Sequence, residues 1–357
     1  MQMKKSVKAF AVAGLAAAVA MTSLTASAGP RVKWKMQSAF SSTLIHLGPG
    51  GLRFAKNIKE MSDGRFQIKF FEPGALVPAL ECFDAVSKGS LESCWTTPGY
   101  HAGKIPALQF FTTVPFGPQL GEFLAWKIHG GGNKMRDEIY AGHNLKSVDA
   151  SCIGPETSGW FKKPITSLEQ LKGLKMRFFG LGALVMQKLG VSTQLLAGAD
   201  IYPALERGVI DATEFSMPTI DINLGFYQIS KNNYFPGWHQ QVSCGEFLMN
   251  MGDWKKLPKA YQAMIRNSAG RQIVWTWSET EALNPKAMND LVTKYGVTIH
   301  RWPDSFLAVF EKAWFEVLKE KSAADPLFKK VADSYLAFRK AYKPWHDAQA
   351  LKGSYQE

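Results

Sequence analysis

The chain has 357 residues, of which 46% are hydrophobic, and a formal net charge of +12. That length and apolar content suffice for two domains, each with its own core. Its basic residues occur as scattered pairs (Lys162-Lys163, Lys255-Lys256, Lys329-Lys330) among acidic ones; without a clustered basic stripe no nucleic-acid partner is expected, and a diffuse positive field suits the collection of small anions.

Residues 1–28 read as a secretory signal peptide. Lys4, Lys5 and Lys8 make a positive start, an alanine-rich apolar run covers 10–21, and Ala26-Ser27-Ala28 is a small-residue cleavage site. The run falls short of the roughly 20 apolar residues that a membrane span needs, so the mature protein is expected in the periplasm. The four cysteines, Cys82, Cys94, Cys152 and Cys244, lack metal-ligand spacing. They are expected as buried free thiols, although an oxidising compartment would let two of them pair.

Along the mature chain, residues 32–40 alternate like a strand, and 48–63 form a helix closed by the Asp63-Gly64 turn. Residues 65–71 make a second strand, 77–88 a helix capped by Gly89, and 90–95 a short strand. The pattern returns after residue 150. Gly159-Trp160-Phe161 ends a strand, 167–171 is a short helix with a Ser cap, and 174–178 is a strand. Helices at 182–189 and 200–207, the latter closed by Gly208, then bracket the way to a strand at 210–215. Such alternation predicts an α/β protein with parallel sheets built from βαβ units. Two similar units predict two lobes, each a sheet flanked by helices, with a ligand cleft between them. The expected first lobe spans 31–148, with 240–275 returning to it; the second spans 149–236, with 285–320 packed on it. Residues 325–357 form a C-terminal helical segment. The amphipathic stretches 257–291 and 303–341 read as bracing helices, in which Trp275 and Trp277 serve packing.

Enzyme signatures are missing from the sequence: there is no G-x-S-x-G elbow, no H-E-x-x-H and no P-loop. Gly180-Leu181-Gly182 reads as a turn into a helix. The seven histidines are spread out, and His101 and His239 read as surface or packing residues. Arg177, ending the strand of LKMRF, offers a planar fork that suits a carboxylate; a surface ion pair is an equal reading. Glu214, which follows a neighbouring strand, could pair with it or ligate a cation. Glu156, in GPETSGW, either faces the same site or is merely exposed. Two carboxylates beside an anion-binding arginine would repel the ligand unless a cation lay between them.

At these residues the sequence resembles the extracytoplasmic solute receptors of tripartite ATP-independent periplasmic (TRAP) transporters, in particular the branch that binds 2-oxo acids such as pyruvate. The segments that carry the resemblance span nearly the whole mature chain: WKMQSAF, FFEPGALVPALECFDAVSKGSLESC, GYHAGK, AWKIHGGG, SGWFKKPI, LKGLKMRFFG, AGADIYPALERGVIDATEF, LGFYQ and YFPGWHQ. It implies a two-lobed periplasmic binding protein that closes about a hinge, with a long helix crossing both lobes. It also implies that Arg177 holds the substrate carboxylate, with Tyr100 and Phe40 lining the pocket. A calcium or sodium ion, with a slight preference for calcium, would bridge protein and ligand. Its ligands would be Glu214, the backbone carbonyl of Phe215, and Glu156 and Gln240. The last two depart from the branch, where glutamine stands at the position of Glu156 and glutamate at that of Gln240. Phe215 replaces a familiar tryptophan, which changes the pocket wall. The implied partners are a 2-oxo or 2-hydroxy monocarboxylate such as pyruvate or lactate and the TRAP membrane permease. A sugar acid, an aromatic acid or a dicarboxylate is the alternative ligand, and a metal-dependent enzyme is the less favoured class. A homodimer through the C-terminal helix, residues 338–351 with a kink at Pro344, is a further implied possibility.

Overall fold

The structure, a computed structural model, describes residues 29–349. The expected signal peptide and residues 350–357 of the C-terminal segment lie outside the described residues. None of the described helices is long and apolar enough to cross a membrane.

Eleven strands form two sheets. They are β1 (Val32–Ser38), β2 (Phe66–Phe71), β3 (Ser93–Thr96), β4 (Leu145–Ile153), β5 (Gly159–Phe161), β6 (Lys175–Arg177), β7 (Ser192–Gln194), β8 (Ala212–Thr213), β9 (Asn232–Phe235), β10 (Ser243–Asn250) and β11 (Thr298–Arg301). The first sheet has the order β2-β1-β3-β10-β4 and the second β11-β9-β5-β8-β6-β7. Neither is purely parallel, as the alternation had predicted. β10 runs antiparallel to β3 and β4, and β5 antiparallel to β8 and β9. The cause is the chain's path: it leaves the first sheet after β4, enters the second at β5, and returns between β9 and β10. A strand that carries the chain in from the other sheet starts at the cleft, where its neighbours end, so it must oppose them.

The helical segments follow their local signals, with two breaks the periodicity did not show. The helix expected at 77–88 is a 3-10 turn, Ala79–Glu81, running into Cys82–Ser87, because Pro78 is extended at φ −51°, ψ 145°. The stretch 303–341 is two helices, Asp304–Ala324 and Pro326–Gln349. Asp325 separates them: it is extended, as a residue before proline prefers, and its Oδ1 accepts from the amides of Leu327 (2.8 Å) and Phe328 (3.1 Å) to cap the second helix. The short helix Leu168–Leu171 carries a capping box between Ser167 and Gln170. Trp277 packs against the core. Trp275, expected in packing too, stays 44% exposed, with the Arg53 guanidinium 5.2 Å over its ring.

The long helix Lys259–Thr293 crosses both sheets, touching β4 and the helix Leu47–Met61 on one side and the helix Pro218–Leu224 and β11 on the other. A buried polar side chain on it binds the segment that leaves the first sheet: Thr280 Oγ1 accepts from the amide of Gly154, just after β4 (3.1 Å). His46, 1% exposed, ties three elements together. Its Nδ1 meets Glu279 Oε2 of the long helix at 2.8 Å, and its Nε2 meets Thr219 Oγ1 of the helix Pro218–Leu224 at 3.0 Å.

All four cysteines are paired, contrary to the free thiols expected: Cys82 with Cys94, and Cys152 with Cys244. Tertiary placement decides this. Cys82 opens a helix packed beside β3, which holds Cys94, with Cα atoms 6.0 Å apart. Cys152 and Cys244 face each other in the register of β4 and β10, with Cα atoms 4.1 Å apart.

Two outcomes are expected. Alkylation of the unfolded, unreduced protein will add no label, and reduction will release four thiols; labelling before reduction would contradict the pairing. The Cys152–Cys244 bridge closes a loop across 92 positions, worth about 4–5 kcal/mol on a chain-entropy view, so Cys152→Ser with Cys244→Ser will lower Tm sharply. The second outcome concerns His46. Burial holds its pKa below the ordinary 6.5, opposed by Glu279, with Arg53 lowering it slightly more. Above pH 6.5 the neutral ring costs nothing to bury; as pH falls toward its native pKa the unfolded chain takes up a proton that the native one does not, and stability is lost. Denaturation curves of His46→Asn will lack this component of the acid slope. Parallel slopes in the two proteins would remove His46 from the account.

Candidate ligand and cation site

The site forms where the two non-helical crossings meet the ends of β6 and β8. Residues 154–158 carry Glu156 and residues 236–242 carry His239 and Gln240. The crossings lie side by side: the amide of Glu156 donates to the Gln240 carbonyl at 3.1 Å, and the Gln240 amide nitrogen Nε2 donates to Glu156 Oε2. This closeness requires Gly237, since a Cβ there would lie 2.1 Å from the Glu156 carbonyl oxygen.

β6 and β8 are parallel neighbours, with Arg177 opposite Thr213. Arg177 is therefore brought beside Glu214, the residue that follows β8. Its Nη1 donates to Glu214 Oε1 (2.8 Å) and to the Glu214 carbonyl (2.7 Å), and its Nε donates to the Leu196 carbonyl (3.2 Å). The amide of Phe179 also donates to Glu214 Oε1. The guanidinium lies 5.0 Å from the Phe215 ring centre and 5.9 Å from that of Phe179, so aromatic faces flank the charge. Arg177 is 1% exposed, Glu214 0% and Glu156 3%, which excludes the surface ion pair for the first and simple exposure for the last.

The two glutamates are held in opposite electrostatic states. Burial and the nearby charges of Glu214 and Asp221 push the Glu156 carboxyl well above the ordinary carboxylate range. Burial pushes Glu214 up too, but Arg177 and His239 outweigh it and hold Glu214 below its ordinary value. Asp221, behind them, is pushed up to about 7 by burial, although Trp160 Nε1 donates to it at 2.7 Å. Burial pushes the Tyr100 hydroxyl up to about 12, with Arg177 acting against it.

These groups line a cavity with about 440 Å³ of atom-free space, part of it open to solvent. Phe40, Thr97 and Tyr100 enter from the ends of β1 and β3, Ile153 and Ser243 from β4 and β10, and Phe179, Phe215 and Ser216 from the second sheet. Arg177, Glu156 and Gln240 line it as well. Glu214 stands behind this wall. Thus the sequence-expected residues converge on one place, six on the cavity surface and Glu214 beneath it. His239, expected only as a surface or packing residue, joins them: its Nε2 is 3.5 Å from Glu214 Oε2 and 3.9 Å from Glu156 Oε2. Its neighbours come from other segments of the chain, so no spacing could reveal them; adjacency to Gln240 in YFPGWHQ was the only clue. His101 is also buried, 3.4 Å from Glu246 in a separate polar cluster of the first sheet.

Several buried polar atoms here lack a hydrogen-bond partner among the described residues: Glu214 Oε2, Gln240 Oε1 and both ring nitrogens of His239. An unpaired buried polar atom costs about 1–3 kcal/mol, and so many in one spot suit a group that arrives from outside. One ligand atom each from Glu156, Glu214 and His239 all lie within 4.8 Å of one another, a spacing compatible with a metal ion. The donors nearest the cavity are oxygens, which fits a hard cation.

The profile of the DctP family, described as bacterial extracellular solute-binding protein, family 7, matches residues 39–325. The chain is 37% identical over 322 residues to a monocarboxylate 2-oxoacid-binding periplasmic protein of Nostoc sp., across 90% of this chain and 88% of that one. Among solved structures it superposes on a TRAP transporter solute-binding protein of Bordetella bronchiseptica with a TM-score of 0.87 and 32% identity, covering 90% of this chain and 95% of that one; that protein holds copurified calcium and picolinate. A periplasmic TRAP protein of Pseudoalteromonas atlantica with bound sodium and pyruvate superposes with a TM-score of 0.86 and 30% identity, covering 89% and 97%. One of Colwellia psychrerythraea with bound calcium and pyruvate gives 0.85 and 30% over the same shares. These relatives are receptors for solutes and not enzymes. Sequence and two-sheet fold agree that the chain belongs to the DctP family of TRAP transporter solute-binding proteins.

Proposed function

We propose that the protein is a periplasmic receptor that captures a 2-oxo or 2-hydroxy monocarboxylate, such as pyruvate or lactate, and delivers it to the membrane permease of a TRAP transporter. The observation that carries this reading is the buried Arg177–Glu214 pair, with Arg177 lining the cavity, beside Glu214 Oε2 and Gln240 Oε1, which lack partners among the described residues. In this reading the first lobe is 31–148 with 240–275, and the second is 149–236 with 285–320. The ligand lies between them, and its carboxylate meets the part of the Arg177 fork that Glu214 and Leu196 leave free, namely Nη2. Phe40 and Tyr100 close on it from the first lobe. Residues 325–357 are the C-terminal helical segment, a second copy would associate through its stretch 338–351, and Trp345 there, 60% exposed, supports this.

Glu214, Glu156, Gln240 and the Phe215 carbonyl would hold a calcium or sodium ion. When bound, the ion supplies the positive charge that lets a third carboxylate join two buried glutamates. His239, behind the cavity wall, positions Glu214. Pyruvate and picolinate, the ligands of the solved relatives, share one feature: a donor atom on the carbon next to the carboxylate. Either can chelate a cation through a five-membered ring, so an aromatic acid with such a donor is a second reading.

Calorimetry on calcium-loaded protein will show Arg177→Lys binding pyruvate about tenfold or more weakly, because lysine keeps the charge but loses the fork and each charge-assisted bond is worth about 1.5–3 kcal/mol. Arg177→Ala, checked for folding by circular dichroism, will bind weakest; affinity equal to wild type there would take the arginine out of the site. Removal of cations will weaken pyruvate binding, and calcium or sodium will restore it. Pyruvate will in turn tighten cation binding by the same factor. Glu214→Gln will mimic cation removal, and Glu156→Gln, whose carboxylate is already engaged by Gln240, will do less. Equal pyruvate affinity in stripped and calcium-loaded samples would exclude a bridging ion.

A further inference from the structure

We propose that Phe40 and Phe215 form a partition between the ligand cavity and a second cavity in the cleft, and that this partition sets how long a side chain the bound 2-oxo acid can carry. The inference rests on the ligand class proposed above and adds its size limit. The second cavity is open to solvent and has about 1140 Å³ of atom-free space, part of it in that opening. On one side it is bounded by residues 39–44 and 73–79, which belong to loops of the first sheet. On the other it is bounded by 197–200 at the start of the helix Gly198–Glu206, with Asn223 and Leu224 at the end of the helix Pro218–Leu224.

Phe40 is the residue that lines both cavities. Its ring is 7% exposed and leans on Tyr100, with centroids 5.9 Å apart. Phe215 closes the opposite side. It lines the inner cavity, and its ring edge rests on Gly198, which lines the outer one. A Cβ on Gly198 would lie 2.9 Å from Phe215 Cζ, so glycine makes the seat for that ring. The guanidinium of Arg177 against the other part of Phe215 holds the ring from within. The wall is thus two phenyl rings, one from each sheet. Beyond it the outer cavity is largely apolar, with Leu44, Leu76, Val77 and Leu224 among its walls. Its chemistry suits the aliphatic tail of a branched 2-oxo acid whose carboxylate and 2-oxygen stay at Arg177. With both rings in place, a tail of more than a carbon or two meets the partition.

The test is calorimetry of the mature, calcium-loaded chain with pyruvate, 2-oxobutyrate and 4-methyl-2-oxopentanoate. The wild type will prefer the shorter acids. In Phe40→Ala the ratio of the Kd for 4-methyl-2-oxopentanoate to that for pyruvate will fall by about tenfold, as the freed space lets several carbons leave water. Phe40→Leu, which keeps much of the packing, will move the ratio the same way by less. Gly198→Ala, which pushes Phe215 inward, will weaken 2-oxobutyrate more than pyruvate. A ratio that shifts less than threefold in Phe40→Ala while pyruvate still binds overturns the partition and leaves the receptor reading intact. Loss of all binding in both Phe40 variants overturns it too, since the residue then holds the site together and does not gate its size. A wild type that binds the three acids equally, or the longest best, overturns the partition and leaves the receptor reading intact; one that binds none of them removes the receptor reading first and the partition with it.

Discussion

Arg177 and Glu214 carry opposite charges where water scarcely reaches, and the second sheet is arranged around that fact. Neither could be buried alone: removing one partner of such a pair leaves an uncompensated charge, at about 3–5 kcal/mol. β6 and β8 lie next to each other, which brings the pair to 2.8 Å, while the amide of Phe179 and the carbonyl of Leu196 take up further bonding capacity on either side. Satisfaction stops short of completion, however. Glu214 Oε2 faces His239 on a crossing at 3.5 Å without a hydrogen-bond partner among the described residues, so the pair has a bonded side and an open, unsatisfied one.

That open side belongs to the segments that join the two sheets. Glu156 and Gln240 are on different crossings and hydrogen-bond to each other through backbone and side chain alike. A ligand held as proposed, by Arg177 on one sheet and by these residues, would touch the backbone that joins the two sheets. The crossings themselves are rooted firmly. Cys152 and Cys244 staple β4 to β10 next to the points where the chain leaves and re-enters the first sheet, and Thr280 of the long helix holds Gly154. His46 joins the start of the helix Leu47–Met61 to the long helix and to the helix Pro218–Leu224. Firm roots with a few residues of crossing between them confine any motion to a short stretch.

A second buried polar cluster strengthens the first sheet away from the cleft. Asp149 on β4 accepts from Lys127 and Arg136, each at 2.6 Å, and Tyr140 donates to Glu246 on β10 at 2.7 Å. Ser147 Oγ on β4 donates to Glu246 Oε2 on β10, which carries the cluster across the pair beside the irregularity between Gly245 and Glu246, where the ladder is shifted. The polar network thereby holds the strands together where their register is least regular.

Much of the architecture could be read from sequence because its signals are local. The sequence pattern located β1, β2, β3, β5, β6 and β8 but not β4, β7, β9, β10 or β11, glycines at positive φ closed helices where expected (Gly89 at 76°, Gly208 at 72°), and LKMR placed an arginine at a strand end. Arg177, Glu156, Glu214 and Gln240 were legible as candidates through a resemblance carried by contiguous segments. Three features escaped for a common reason. The disulfides join residues that only packing makes neighbours; His239 gains its meaning from glutamates on other segments; and the antiparallel strands follow from a path between two sheets that no single window contains. The sequence by itself determined many of the elements, the caps that end them and the chemistry of the site residues, since backbone preference and side-chain type are properties of a few adjacent positions. Only the tertiary structure decided which cysteines meet, which buried oxygens stay unpaired, and that one carboxylate is charged beside arginine while its neighbour is pushed toward the neutral form, because burial and distance across the chain exist only once the two sheets have packed.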